Sequence, residues 1–188
     1  MKILIVGDSF AADWSVKYND YPGWPNLLAQ DFDVTNLAQA GVGQYKIYKQ
    51  LKSVDVKEFA VVLSSYTSPY RVHTQSHPIH SEDLLHNQCD LLANDIEHWS
   101  RQDKHNESLS TAKNYFKYHF DFEYYNDIYQ MLVERCNSLI GDVRHIQISN
   151  LEYVTDNWID ITNNHKGLIN HLSLKGNELV YNKIKETL

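Results

Sequence analysis

The sequence predicts an α/β fold built on a mainly parallel sheet. Two observations carry that expectation. Short, continuous runs rich in Ile and Val, such as "KILIVG" (2–7) and "FAVVLSSY" (59–66), read as strands buried on both faces. Between such runs lie stretches with apolar residues at helical spacing, and strands alternating with helices build parallel sheets.

Taken in order, "KILIVG" is the first strand. "YPGWPNLLAQDF" (21–32) carries an early proline with Leu27 and Leu28 on one side, the pattern of a short helix. "DVTNLAQAG" reads as a second strand ending near Gly41. "QYKIYKQLK" (44–52) is a helix with Tyr45, Ile47, Tyr48 and Leu51 as its apolar positions, and "FAVVLSSY" is the third strand. The stretch from Arg71 to Ser81 is polar and irregular. From Glu82 to Arg101, Leu84, Leu85, Leu91, Leu92, Ile96 and Trp99 mark a helical face. "DKHNESLST" (103–111) reads as a loop. Residues 112–140 read as helix, with Gly141 suited to its end. "VRHIQIS" (143–149) is a fourth strand, "NWIDIT" (157–162) a short element, and "SLKGNELVYNKIKETL" a final helix with Ser173 as N-cap.

Composition bounds the function. A chain of 188 residues suits one domain, 1–188, with 72–111 as a polar insert near the strand ends. Hydrophobic residues make up 43% and charged residues 22%, which is globular composition. The net charge of −7, with no Arg/Lys cluster, argues against a duplex nucleic acid partner. A small anionic substrate stays open, because the local charge of a cleft can differ from the net charge. Cys89 and Cys136 belong to no CxxC pair and read as buried free thiols in a reducing compartment. No apolar run approaches a membrane span, and the residues before Gly7 are too few for a secretory signal, so the expected location is cytoplasmic without a membrane partner. Among 13 tyrosines, Tyr115, Tyr118, Tyr124, Tyr125 and Tyr129 cluster; a helix face packed on the sheet is the preferred reading over a sugar-stacking platform.

In parallel α/β sheets, ligands bind beyond the carboxyl ends of the strands. Three segments fall there: Gly7-Asp8-Ser9, Gly41-Val42-Gly43, and Ser64 to Arg71. A serine between a strand and a helical segment can sit where backbone N–H groups converge to stabilise an oxyanion. Gly, Asp and Ser are equally ordinary turn formers. Gly41 either turns an N–H toward a ligand or makes a plain turn. Ser68 and Thr67 offer hydroxyls, and Pro69 fixes the turn. Arg71 either binds a substrate carboxylate or phosphate or pairs internally. A serine nucleophile needs a base, and His171, just before the last helix, titrates in the right range. His73, His77, His80 and His86 form a loose run without companion acids or thiols to fix a metal geometry, so a solvated loop and no metal are expected.

These blocks resemble the SGNH, or GDSL-type, hydrolase superfamily. Gly7-Asp8-Ser9 matches its serine block after the first strand. "NLAQAG" is similar to its second block, with Asn36 leading to Gly41, and His171, Ser173 and Gly176 match its HxSxxG block. The resemblance implies a flavodoxin-like three-layer sandwich with helices flanking the sheet. It implies Ser9 as nucleophile and His171 as base, and an oxyanion hole from the N–H groups of Ser9 and Gly41 with Ser68 or Thr67. It calls for no metal or organic cofactor. The implied substrate is a small-molecule ester, an acetyl or short acyl group on a sugar or metabolite, with Asp8, Tyr70 and Arg71 as substrate-binding candidates. Two departures stand out. The third block, usually GxND, reads "SSYTSPYR". The acid usually found two or three residues before the histidine is replaced by Ile169 and Leu168. Asp156 or Asp160 would serve from the preceding segment, or a backbone carbonyl would hold the imidazole in a Ser–His dyad. The alternative is a binding module of the same fold that recognises a small ligand or glycan without turnover.

Overall fold

Five parallel strands form one sheet in the computed structural model, which describes residues 1–14, 22–80, 82, 86–149, 158–160 and 172–188. They are β1 (Lys2–Gly7), β2 (Asp33–Asn36), β3 (Val61–Ser65), β4 (Arg144–Ser149) and β5 (Trp158–Asp160), in the order β2-β1-β3-β4-β5. This is the flavodoxin-like order, and the chain reverses direction across the sheet between β1 and β3. Gly7 pairs with Ser65 in register, so the turns that follow these two strands emerge side by side at the switch point.

The continuous apolar runs follow from burial on both faces. Ile3 and Ile5 pack with Val61 and Leu63 against Trp24 and Leu28 of α1 (Trp24–Asp31) and Val180 and Ile184 of α6 (Leu174–Thr187). Leu4, Val6 and Val62 face the other way, onto Ile47 and Leu51 of α2 (Gln44–Lys52) and Cys136 and Ile140 of α5 (Phe122–Ile140). Each such side chain, fully buried, contributes about 1.5–3 kcal/mol relative to exposure. A separate small core of Ile96, Leu109 and Ala112 joins α3 (Ala93–Gln102) to α4 (Glu107–Tyr118).

Four expectations need correction. β2 stops at Asn36 instead of near Gly41, because the Asn36 carboxamide oxygen accepts the Ala38 N–H at 3.0 Å and turns the chain. Of the helical face drawn from Glu82, Leu84 and Leu85 lie outside the described residues, and among the described ones the helix begins at Ala93. Residues 86–88 turn, and Leu91 pairs with Val72 as an antiparallel bridge, which places Cys89 outside any helix. The segment 103–111 is not all loop, since Asn106 caps α4 by accepting the Leu109 N–H at 3.1 Å. The stretch 112–140 is two helices, because Asp121 accepts the Glu123 and Tyr124 N–H groups and starts α5. The caps at Ser173, which accepts the Gly176 N–H at 3.2 Å, and at Gly141 stand as expected. Of the clustered tyrosines, Tyr129 is buried, but Tyr118 and Tyr124 are 63% and 57% exposed and do not pack on the sheet.

Candidate active site

The turn after β1 is built by Gly7, Asp8 and Asn36. Gly7 has φ +152°, and a Cβ there would lie 2.6 Å from the Ser65 carbonyl oxygen, so only glycine lets β1 and β3 leave the sheet this closely. The Gln50 side-chain amide grips the same residue, accepting the Gly7 N–H at 2.8 Å and donating to its carbonyl at 3.2 Å. The Asp8 carboxylate accepts the Phe10 N–H at 3.1 Å and the Ser65 hydroxyl at 3.0 Å. Burial raises the pKa of Asp8; the Phe10 N–H, the Arg71 charge and the Ser65 and Thr67 hydroxyls oppose that rise. At 4% exposure Asp8 is a brace for the turn. Asn36 donates to the Ala11 carbonyl at 2.9 Å and so ties the end of β2 to the serine turn.

Ser9 sits on that turn, 8% exposed. Its carbonyl accepts the Trp14 indole N–H at 2.7 Å. Neither its hydroxyl nor its N–H has a hydrogen-bond partner among the described residues. It lines a shallow cleft, about 250 Å³ counting the part open to solvent, together with Phe10, Trp14, Pro25, Leu172 and Asn177. Asn177 fixes the far wall: it accepts the Trp24 N–H at 2.9 Å and donates to the Leu172 and Ser173 carbonyls, locking the start of α6 to α1.

The second strand-end loop is held open by Gly41 and Asp90. Gly41 has φ +75°, and a Cβ there would lie 1.9 Å from the Cys89 sulfur. Its carbonyl accepts the Asp90 N–H at 2.9 Å and Arg71 Nη1 at 3.0 Å, while its N–H has no acceptor among the described residues. The Asp90 carboxylate, fully buried, accepts the Gly43 N–H at 2.7 Å and the Thr74 N–H at 2.9 Å and pairs with Lys46 at 2.8 Å. This residue pins the 71–91 segment to the Gly41–Gly43 loop. Sequence reasoning missed it because "CDLL" was absorbed into a helical pattern; one acid among apolar residues was the available signal.

The third loop carries Thr67, Ser68, Tyr70 and Arg71. Thr67 is buried, and its hydroxyl accepts Arg71 Nε at 3.1 Å. The Ser68 oxygen accepts the Tyr70 N–H at 3.3 Å, which leaves its own proton to give. Tyr70 packs edge-on against Phe122 at 5.2 Å and lines neither cleft described here. Arg71 thus straps the third loop to the second. His171 and Asp156 lie outside the described residues. Asp160 is placed only as the last residue of β5, the edge strand, with β3 and β4 between it and the strand that precedes Ser9.

The histidine run is not the solvated loop expected from sequence. His77 is 1% exposed, and His77, His80 and Asp95 bring one donor atom each within 4.8 Å of one another. Asp95 Oδ2 lies 3.3 Å from His77 Nε2 and 3.8 Å from His80 Nε2, and its Oδ1 accepts the Trp99 indole at 3.1 Å. Burial pulls the Asp95 carboxyl upward, but the two histidines and Trp99 hold it below its usual value. Three ligand atoms at that spacing suit a metal. However, the Ile79 N–H donates to His77 Nδ1 at 3.2 Å, which puts the ring proton on Nε2, the atom a metal would need. Asp95 thus stands beside both imidazoles where the insert meets α3, and the buried His77 Nε2 has no hydrogen-bond partner among the described residues. Both thiols are free and buried, and burial pushes Cys89 and Cys136 up to about 11, away from nucleophilic use.

A flavodoxin-like α/β sheet with a serine turn at its switch point defines the structural class. Within that class the chain is similar over 100% of its length to 99% of a solved structure, a "putative lipolytic protein of G-D-S-L family from Desulfitobacterium hafniense DCB-2", with TM-score 0.51 and 12% identity. The fold is therefore of the GDSL type. No family model matches the chain, and no curated protein sequence matches it. No helix among the described residues is long and apolar enough to cross a membrane.

Proposed function

We propose that the protein is a serine ester hydrolase acting on an acetyl or short-acyl ester of a sugar or small metabolite. The observation that carries this reading is the shared cleft of Ser9 and Leu172, because Leu172 is the immediate neighbour of His171 in the chain. Ser9 attacks the acyl carbon. His171 takes the serine proton, returns it to the leaving alcohol, and then activates water to release the acid. The unpartnered N–H groups of Ser9 and Gly41 receive the oxyanion. Ser68, whose proton is uncommitted, is a better third donor than Thr67, whose hydroxyl is engaged by Arg71 and Asp8. The GDSL-type fold supports hydrolase chemistry at this turn, as does the lipolytic name of the structural neighbour. The reaction needs no cofactor, and we place it in the cytoplasm.

The experiment is labelling with a fluorophosphonate and turnover of p-nitrophenyl acetate, with Ser9→Ala alongside. Labelling and turnover that vanish in Ser9→Ala support the hydrolase. A folded protein that neither labels nor turns over rejects it, and supports a binding module of the same fold, a reading favoured by the engaged Thr67 hydroxyl at the altered third block.

A further inference from the structure

A second cleft, enclosing about 400 Å³ including the part open to solvent, lies between α2 and α5 and shares no lining residue with the cleft of Ser9. Its lining includes Gln44, Tyr45, Arg71, His73, Tyr125 and Tyr129. Three features of these residues point to one ligand chemistry.

The first is Arg71. Its Nε and Nη1 are held by Thr67 and Gly41, so the guanidinium is fixed in place. Its Nη2 has no acceptor, and the side chain forms no ion pair, among the described residues. The other acid at the cleft, Asp90, is already matched by Lys46 at 2.8 Å and by its backbone donors. The Arg71 charge also acts on the buried Asp8 carboxylate behind it, and its uncommitted Nη2 is oriented to meet a carboxylate or phosphate in the cleft.

The second is Gln44. The residue is 5% exposed, its Nε2 reaches the Cys136 sulfur at 3.6 Å, and its buried Oε1 has no hydrogen-bond partner. A buried carbonyl left unpaired costs about 1–3 kcal/mol, so a ligand that supplies a donor is rewarded. A hydroxyl is donor and acceptor at once and meets the amide in either orientation.

The third is the aromatic walls. Tyr45 is 41% exposed and stands edge-on to His73 at 4.8 Å. Opposite it, Tyr125 stacks on Phe120 at 4.6 Å and is fixed by a 2.5 Å bond between its hydroxyl and that of Tyr115. Rings held in this way offer apolar faces to a carbon skeleton whose edges are polar.

We infer that this cleft is a recognition site for a small anion that carries hydroxyl groups, a sugar acid or a sugar phosphate, gripped by Arg71, Gln44 and the flanking tyrosines. The site adjoins the proposed oxyanion hole through Ser68, which also lines it, but binding here does not depend on Ser9 being a nucleophile.

Isothermal titration of the full chain with D-glucuronate, D-glucose 6-phosphate, D-glucose and inorganic phosphate tests it. The two anionic sugars are expected to bind at least tenfold more tightly than glucose and than phosphate alone. Gln44→Glu, which adds a negative charge beside the anion, should weaken binding at least tenfold; Tyr45→Ala, an exposed position, should weaken it severalfold. Arg71→Gln should abolish it; should that variant fail to fold, the other two variants and a loss of affinity at high salt carry the test. Ser9→Ala should bind as the parent does, which separates failure here from failure of the esterase reading. Binding of glucose as tight as that of glucuronate, phosphate binding as tightly as glucose 6-phosphate, no binding up to millimolar ligand, or affinity unchanged in Gln44→Glu would each overturn the proposal.

Discussion

The Asp90 carboxylate accepts the Gly43 N–H at 2.7 Å across 47 positions of sequence, and the Asp90 N–H in turn donates to the Gly41 carbonyl at 2.9 Å. This reciprocal pair makes a polar insert part of the sheet's ligand-binding edge. Removing one partner of a buried charged pair costs about 3–5 kcal/mol, because it strands the groups that faced it. Asp90→Ala should therefore lower stability in urea by about 3 kcal/mol, and Asp90→Asn by less, since its amide oxygen still meets Gly43. A loss below 1 kcal/mol in Asp90→Ala would show that the insert is anchored elsewhere.

Gly41 and Cys89 are coupled sterically. Gly41→Ala places a Cβ 1.9 Å from the Cys89 sulfur at a φ of +75°, so it should destabilise by more than about 2 kcal/mol. Adding Cys89→Ala should recover part of that loss, leaving the backbone strain. A double-mutant cycle reads the coupling directly, and purely additive losses would contradict it.

Asn36 ties the end of β2 to the serine turn. Asn36→Ala removes its bonds to the Ala11 carbonyl and the Ala38 N–H, at about 1–3 kcal/mol for the buried groups left unpaired. On the esterase reading, the same variant should slow fluorophosphonate labelling of Ser9 by about tenfold at a temperature where it is fully folded. Labelling at the parental rate would make Asn36 a scaffold residue only.

Burial beside β3 depresses the His145 pKa from 6.5 to about 4 in the folded protein, and its Nε2 lies 2.7 Å from the Ser64 hydroxyl. The unfolded chain binds the proton more readily than the folded one across that window. The stability that neutral His145 contributes is therefore complete above pH 6.5 and is lost as pH falls toward 4, by at most about 3 kcal/mol. His145→Gln should flatten the fall in urea midpoint between pH 7 and pH 4. An unchanged slope would assign acid sensitivity to other groups.

Much of the fold was legible because its signals are local. The buried strands β1 and β3 announce themselves as Ile/Val runs, α2 by its 3.6-residue period, and α6 by Ser173. Strand alternation gave a mainly parallel α/β sheet with Gly7-Asp8-Ser9 at its binding edge, and the resemblance to the SGNH superfamily supplied the flavodoxin-like arrangement and the candidate nucleophile. Three of the misreadings share one cause. Asn36, Asp90 and Asp121 each carry a side chain that takes backbone N–H groups and redirects the chain, where apolar periodicity alone would continue a strand or a helix.

What local pattern could not supply is the partnership between distant polar groups. Arg71 in the sequence is equally a substrate ligand or an internal ion-pair partner; in the fold it binds Gly41 and Thr67 and keeps Nη2 uncommitted. His77 looks solvent-facing within a polar run, yet it is buried against Asp95. Gln44 sits on a helix face read as ordinary, and its carbonyl is buried without a partner. Hydrophobic burial is written along the chain as a period that one segment can satisfy. The pairing of a buried charge or amide depends on which groups arrive from tens of residues away, and that is set when the layers pack.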